Sequence, residues 1–264
     1  MFTTYILPII AFASLGLLAG VLLTFASKFF EVKVDERIEK VNDVLPQANC
    51  GACGYAGCAD YANAVVTQNA PTNLCKPGGP KVVEGISTIL GTTAMESVQE
   101  VAFVHCSGDS TATGYRYNFD GIQACSAVKR FYSGNSTCPY GCLGLGDCST
   151  VCEYNAIYIK DSIAHINPEK CIACGKCVTV CPNNLITMKP KNTKVVVACT
   201  SRDNGKATKL SCKNGCIGCK MCEKKCQHDA IKVMDFHAII DYNKCVDCGE
   251  CATVCPVKVI HYNK

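Results

Sequence analysis

The pattern of apolar and polar residues separates a long apolar N-terminal segment from a remainder made of short alternating runs. From Phe2 to Ser27 no side chain is charged, and Leu, Ile, Val, Phe, Ala and Gly dominate. At about 1.5 Å per helical residue, this segment is long enough to cross a hydrocarbon layer of about 30 Å. The pattern therefore predicts a transmembrane helix over residues 1–27.

The charges that follow this segment predict its orientation. A cleaved signal peptide usually has a basic start and a shorter apolar core, and neither is present. Because the positive-inside rule counts Lys and Arg, we expect a single-pass protein of the cell membrane with cytoplasmic C-terminal domains. The basic residues concerned are Lys28, Lys33, Arg37 and Lys40.

Periodicity beyond the apolar segment predicts a mixed α+β protein. Residues 31–45 have apolar positions at helical spacing and predict a surface helix that packs on the next domain. Helices are also predicted over 59–68 and 81–90, before a hinge at 91–93. Two pairs of alternating runs, 157–159 with 164–166 and 231–233 with 238–240, predict short hairpins.

The 24 cysteines of the chain indicate which kind of cofactor it binds. Two groups follow the pattern C-x2-C-x2-C-x3-C-P, in which three thiolates hold one [4Fe-4S] cluster and the fourth cysteine ligates a neighbouring cluster. Structural zinc uses pairs of C-x2-C, and a disulfide framework needs an oxidising compartment. The spacing therefore favours iron–sulfur clusters over both. The two groups are Cys171, Cys174, Cys177 and Cys181, and Cys245, Cys248, Cys251 and Cys255.

The cysteine pattern repeats without a gap at an offset of 74 residues, from 125–181 onto 199–255. A repeat of this length indicates two ferredoxin modules in tandem. We therefore expect four segments: a transmembrane helix (1–27), a single-cluster domain (28–92) and two ferredoxin-like modules (93–190 and 191–264).

One position interrupts the repeat. Leu145 stands where Cys219 stands, so the first module lacks one ligand. Cys138 is the nearest substitute and our choice, with Cys106 and Cys125 as more distant candidates and a three-iron cluster as an alternative. Cys212 could equally replace Cys219 in the second module.

Crossed ligation then predicts two clusters in each module. In the first module the sets are Cys138, Cys142, Cys148 and Cys181, and Cys152, Cys171, Cys174 and Cys177. In the second they are Cys216, Cys219, Cys222 and Cys255, and Cys226, Cys245, Cys248 and Cys251. Four cysteines are left over, as buried thiols, a further cluster or a labile disulfide: Cys106, Cys125, Cys199 and Cys212.

A different cluster site precedes the modules. Three cysteines lie on a glycine-rich loop, where the backbone can approach the sulfides closely. A fourth follows the predicted helix 59–68. This set is Cys50, Cys53, Cys58 and Cys75, and it brings the expected total to five [4Fe-4S] clusters, with a sixth left open.

Charge is distributed unevenly along the chain. Residues 31–110 hold ten acids and five bases, whereas residues 160–232 hold five acids, thirteen lysines and Arg202. Soluble ferredoxins are typically acidic, so a basic module is suited to receive one. No groove-reading motif accompanies the lysines, which argues against nucleic acid. The expected docking lysines include Lys176, Lys191, Lys194, Lys206, Lys209, Lys213, Lys220, Lys224 and Lys225.

The chain resembles the B subunit of the Rnf complex over essentially its whole length. The resemblance rests on the N-terminal apolar segment and on two cysteine motifs. These motifs are Asn49-Cys50-Gly-Ala-Cys53-Gly-Tyr-Ala-Gly-Cys58 and Cys138-Pro-Tyr-Gly-Cys142-Leu-Gly-Leu-Gly-Asp-Cys148. Two modules resemble the longer form found in clostridia and their relatives. The Rnf complex is a membrane-bound ferredoxin:NAD oxidoreductase that translocates Na⁺ or H⁺.

The resemblance implies that this chain belongs to an enzyme complex as its electron-transfer subunit. Reduced ferredoxin would be the donor, and membrane-spanning and flavin- or NAD-binding subunits would be the partners. The sequence has no dinucleotide fingerprint and no acid–base pair, so we expect no catalytic residues of its own. The alternative is a membrane-anchored polyferredoxin adaptor that serves another reductase without ion pumping.

Overall fold

The computed structural model describes residues 7–29 and 35–262. The first helix, α1 (Leu7–Phe29), carries mostly exposed apolar side chains. Within the described ranges no helix meets both the length and the apolarity needed to span a membrane. The predicted transmembrane helix over 1–27 is therefore not found there, and its first six residues lie outside the described residues.

Three helices form the next domain: α2 (Glu36–Val44), α3 (Cys58–Thr67) and α4 (Gly79–Leu90). Val41, Tyr61 and Ile86 are fully buried between them, and the Tyr61 hydroxyl donates to the Pro71 carbonyl at 2.7 Å. The predicted helices over 59–68 and 81–90 are confirmed, as is the packing of α2 on this domain. Residues 31–34 of the predicted helix 31–45 lie outside the described residues.

Each ferredoxin-like module contains two two-stranded antiparallel sheets. The elements of the first module are β1 (Glu100–Val104), α5 (Cys125–Lys129), α6 (Asp147–Thr150), β2 (Ile157–Lys160), β3 (Ile163–Ile166), α7 (Lys176–Val180) and β4 (Ile186–Pro190). Those of the second are β5 (Val195–Val197), α8 (Gly205–Ser211), α9 (Met221–Lys225), β6 (Ile231–Met234), β7 (His237–Ile240), α10 (Glu250–Thr253) and β8 (Ile260–Tyr262).

The hairpins β2–β3 and β6–β7 confirm the two predicted pairs. The other sheets pair the first strand of each module with its last, β1 with β4 and β5 with β8. In each module, the cysteine loops lie between the hairpin sheet and the sheet formed by the first and last strands. Apolar residues of the strands and cysteines of the loops share one core in each module.

Hydrogen bonds join the two modules directly. The hydroxyls of Thr113 and Thr137 both donate to the Ser211 carbonyl at 2.9 Å. The Lys213 N–H donates to the Ala112 carbonyl at 2.9 Å. Across the same boundary, the His105 Nδ1 lies 2.6 Å from the Val197 carbonyl oxygen. Buried or part-buried contacts of this kind fix the orientation of one module on the other.

Candidate iron–sulfur sites

The loop before α3 gathers the predicted cysteines of the single-cluster domain. The Asn49 side-chain oxygen accepts the N–H of Cys58 at 2.8 Å and so closes the loop. Burial raises the pKa of the Cys75 thiol, and the neighbouring thiols of Cys58, Cys50 and Cys53 add to the increase. The structure therefore brings all four cysteines of this set together.

Two further predicted sets each line one cavity. Cys152, Cys171, Cys174 and Cys177 surround about 370 Å³ in the first module. In the second module, about 360 Å³ is lined by Cys226, Cys245, Cys248 and Cys251. Each cavity draws three cysteines from one tight loop and the fourth from the other loop, which is the arrangement that crossed ligation requires.

A fourth set converges around Cys222. Burial raises the pKa of its thiol to about 12, and the thiols of Cys216, Cys219 and Cys255 add to the increase. Crowded, desolvated thiols resist ionisation, whereas a coordinating metal deprotonates them outright. These four cysteines are the ones predicted for this position of the second module, with Cys219 and not Cys212 among them.

The matching position of the first module differs from our choice of Cys138. A cavity of about 400 Å³ is lined by Cys142, Cys148 and Cys181 together with Cys125. Burial raises the pKa of Cys148 to about 12, with contributions from the thiols of Cys142, Cys125 and Cys181. Cys125, and not Cys138, therefore shares this cavity with Cys181 and with the two cysteines of the loop that has Leu145 in place of a cysteine.

Asp147 explains how Cys125 reaches this cavity. Its carboxylate accepts the N–H groups of Cys125 and Ser126 at 2.7 and 2.9 Å, so it holds the start of α5 against the cysteine loop. In the sequence, Asp147 stands out only as an acidic residue next to Cys148, so its contact with Cys125 was not predicted.

Cys138 lies elsewhere. It lines a cavity of about 360 Å³ at the boundary between the modules, together with Cys106, Cys199 and Cys212. The sequence left three of these four without a predicted set. All 24 cysteines are free thiols in the structure. Within the described ranges, no group of three or more His, Cys, Asp or Glu side chains is placed to hold a metal ion.

The structure also corrects the alignment of the repeat. The ungapped offset pairs Cys125 with Cys199, but Cys125 begins α5 whereas Cys199 follows strand β5. Cys106 follows the equivalent strand β1. It accepts the N–H of Cys142 at 3.3 Å, and Cys199 accepts the N–H of Cys216 at 3.2 Å. Cys106 is therefore the structural counterpart of Cys199.

The basic residues concentrate on the second module. Exposed lysines without an ion pair in the described part of the chain include Lys206, Lys209, Lys213, Lys220 and Lys224. Three other predicted docking lysines form ion pairs: Lys176 with Glu153, Lys191 with Glu169 and Lys225 with Glu250.

Solvent reaches two cysteines of this basic module. Cys219 and Cys248 are exposed, whereas Cys174, which matches Cys248 in the repeat, is half-buried in the first module. The second module is therefore the more open of the two at its cysteine loops.

Comparison with known proteins places this arrangement in a family. Residues 45–77 match a family described as "Putative Fe-S cluster", residues 164–187 a "4Fe-4S binding domain" and residues 215–260 a "4Fe-4S dicluster domain". A relative from Methanosarcina acetivorans, named as the B subunit of an ion-translocating oxidoreductase complex, is 43% identical over 98% of this chain and 99% of its own length. The chain belongs to the family of Rnf B subunits.

Two other Rnf B subunits are similar over nearly the whole chain. The protein from Clostridium ljungdahlii is named for a proton-translocating ferredoxin:NAD(+) oxidoreductase complex, and it is 37% identical over 97% of this chain and 92% of its own length. The protein from Acetobacterium woodii is named for a Na(+)-translocating ferredoxin:NAD(+) oxidoreductase complex, and it is 39% identical over 98% of this chain and 78% of its own. The predicted family is confirmed.

Replacing Asp147 should loosen the Cys125 site selectively. In Asp147→Ala, two N–H groups lose their acceptor, which costs about 1–3 kcal/mol for groups withdrawn from water. We expect faster loss of about four irons per chain to a chelator, as one four-iron cluster holds. Asp120→Ala, at an exposed position of the same module, is the control. Equal rates of iron loss in both variants would contradict the role of Asp147.

Proposed function

We propose that this chain is the iron–sulfur electron-transfer subunit of a membrane-bound, ion-translocating ferredoxin:NAD oxidoreductase. It accepts electrons from reduced ferredoxin and passes them to membrane-spanning and flavin-binding partner subunits. The observation that carries the proposal is the convergence of five separate sets of four cysteines in a member of this family. No acid–base or NAD chemistry is assigned to the chain itself.

The cysteine sets fit [4Fe-4S] clusters. Three of the cavities have similar volumes, about 360–400 Å³, and largely apolar walls. Backbone N–H groups donate to the sulfurs of Cys152, Cys171 and Cys181 at 3.4–3.5 Å, and hydrogen bonds of this kind tune the reduction potential of a bound cluster. When bound, each cluster would carry one electron at a time. The protein supplies the thiolates, excludes water and sets the hydrogen bonds.

The proposed ligands for the first three clusters, from the N-terminus, are Cys50, Cys53, Cys58 and Cys75; Cys152, Cys171, Cys174 and Cys177; and Cys125, Cys142, Cys148 and Cys181. Those of the second module are Cys216, Cys219, Cys222 and Cys255, and Cys226, Cys245, Cys248 and Cys251. Cys125 replaces Cys138 in this assignment because it shares the cavity of the other three.

Contacts support an order for these sites. Lys76 and Glu100 form an ion pair at 3.3 Å between the single-cluster domain and the first module. The pKa of Lys176 is raised first by its hydrogen bond to Glu153 and further by the thiols of Cys174 and Cys50, one from each site. The single-cluster site therefore adjoins the first module, and it is the site nearest to α1 in the sequence, where we expect electrons to leave.

Electrons would arrive at the second module. Its cysteines Cys219 and Cys248 are exposed, so a docked donor could approach two clusters closely. Lys220 stands next to Cys219 in the sequence, and Lys224 lies one helical turn further along α9. A cationic surface at this position favours encounter with an acidic ferredoxin.

We further propose that residues 1–29 attach the chain to the cell membrane, with the cluster domains on the cytoplasmic side. Phe12, Leu17, Leu23 and Phe25 of α1 are 70–76% exposed in the isolated chain. A contiguous apolar surface of this kind marks contact with lipid or with a partner protein.

Iron content tests the cluster assignment. Anaerobically purified full-length chain should hold at least about twenty irons with equal sulfide, the stoichiometry of five cubanes. Fewer than about twelve irons, or zinc in their place, would contradict the proposed function.

Charge reversal tests the donor surface. In the triple variant Lys209→Glu, Lys213→Glu and Lys224→Glu, electron transfer from reduced ferredoxin should slow at low salt by roughly tenfold or more, because steering raises on-rates by 10–10³. The wild-type rate should fall similarly as salt shortens the Debye length to about 8 Å. Stopped-flow absorbance gives both rates.

The control for this variant reverses three exposed basic residues outside the stretch 160–232, in Lys40→Glu, Lys81→Glu and Arg130→Glu. It changes the net charge equally and should retain most of the wild-type rate. Equal slowing in both variants would mean that net charge alone is responsible, and no slowing in either would exclude the proposed donor surface.

Truncation tests the attachment. A chain that begins at residue 30 lacks no proposed cluster ligand, so it should be soluble without detergent and retain the iron content of the full chain. The full-length protein should sediment with membranes. A full-length chain that is soluble without detergent would overturn the membrane role of residues 1–29.

A further inference from the structure

The boundary between the two modules contains a cysteine cavity that the five sets do not use. Cys106 and Cys138 come from the first module, and Cys199 and Cys212 come from the second. Four thiols, contributed equally by both modules, therefore face one space.

In size, and in the four cysteines that line it, this space resembles the three cavities already assigned to clusters. Its volume of about 360 Å³ equals that of the cavity around Cys226 and is close to the 370 and 400 Å³ of the other two. Glycines leave room at its wall: a Cβ added at Gly108 would lie 3.2 Å from the Cys212 sulfur and 3.6 Å from the Cys106 sulfur.

Two of the four sulfurs in this cavity are also hydrogen-bonded like cluster ligands. Cys106 accepts N–H groups from Gly108 at 3.4 Å and from Cys142 at 3.3 Å. Cys199 accepts N–H groups from Ser201 at 3.4 Å and from Cys216 at 3.2 Å. Two donors per sulfur stabilise a thiolate, and such hydrogen bonds accompany cluster ligation.

Simple packing does not explain these features. A buried cysteine that serves as a small hydrophobe is surrounded by apolar atoms. Here two of the four sulfurs accept backbone N–H groups, and the lining, unlike the largely apolar walls of the other three cavities, also includes the polar residues His105, Ser107, Thr113 and Asn214. In a cubane each thiolate binds its own iron, so the four sulfurs surround a group and do not converge on one ion.

We infer that Cys106, Cys138, Cys199 and Cys212 bind a sixth [4Fe-4S] cluster, which links the two modules and relays electrons between them. Its position supports the relay. The N–H groups of Cys142 and Cys216, each in a neighbouring cluster set, donate directly to Cys106 and Cys199. Each step moves one electron from a reduced cluster to an oxidised neighbour, with no bond or proton transferred. The inference rests on the proposed function.

Iron counts on cysteine variants of the full-length chain test the sixth cluster. Wild type should hold about 24 irons, and Cys106→Ala and Cys212→Ala should each hold about 20, by the four-iron stoichiometry. The double variant of these two should also hold about 20, because both remove the same cluster. Anaerobic EPR of the dithionite-reduced protein should show the loss of one spin per chain.

Cys125→Ala is the matched control. It removes a ligand of a different cluster, so combining it with Cys212→Ala should lower the count to about 16 by the same stoichiometry. Retention of the other irons shows that the variants fold. In stopped-flow reduction of Cys212→Ala, we then expect the clusters of the first module to be reduced more slowly than those of the second module.

The outcomes separate the two proposals. If Cys106→Ala and Cys212→Ala retain the wild-type iron content and EPR signal, the sixth cluster is excluded while the five-cluster function stands. If their losses add in the double variant, the two cysteines serve different clusters and the inference fails. A wild type with fewer than about twelve irons would overturn the proposed function as well.

Discussion

Each module must surround several thiols with very few aliphatic side chains, and this constraint shapes the rest of the structure. The buried core of the second module consists of a few strand residues, such as Val195, Ile231 and Ile260, together with Cys216, Cys222 and Cys251. Domains of this size bury too little apolar surface to be very stable alone. Ligand binding therefore supplies part of the folding free energy, as in other small metal-binding domains.

The same constraint explains which parts of the fold the sequence predicts. The hairpins β2–β3 and β6–β7 are local and alternate clearly, so their pattern suffices. The pairs β1–β4 and β5–β8 join strands of three to five residues that are more than sixty residues apart. No local pattern encodes such pairing, because the partner of each strand is decided only when the cysteine loops close between them.

The cysteine sets divide in the same way. Fixed spacing on one loop predicts three members of most sets, since three thiolates on a tight turn are a local feature. The position at Leu145 required knowledge of tertiary structure. An ungapped repeat suggested that Cys125 corresponds to Cys199, whereas the chain between β1 and the cysteine loop carries an insertion that brings Cys125 back to the first module. Asp147, which holds it there, has no recognisable motif.

Acidic and basic residues are distributed unevenly between the single-cluster domain and the second module. Along the chain, the acidic excess of residues 31–110 falls mainly on the single-cluster domain, and the basic excess of 160–232 falls mainly on the second module. The proposed acidic donor would therefore be attracted to the second module and repelled from the single-cluster domain. This uneven charge would disfavour direct electron transfer from the donor to the single-cluster domain without passage through the modules.

Exposure of Cys219 and Cys248 has a cost in an aerobic environment. Thiolate oxidation follows solvent access, so the two outermost sites of the second module would be the first that oxygen or peroxide reaches. If the donor docks there as proposed, damage would begin at the point of electron entry and leave the single-cluster site intact but without incoming electrons. The openness that would admit the proposed protein donor would therefore also make these two sites the most sensitive to air.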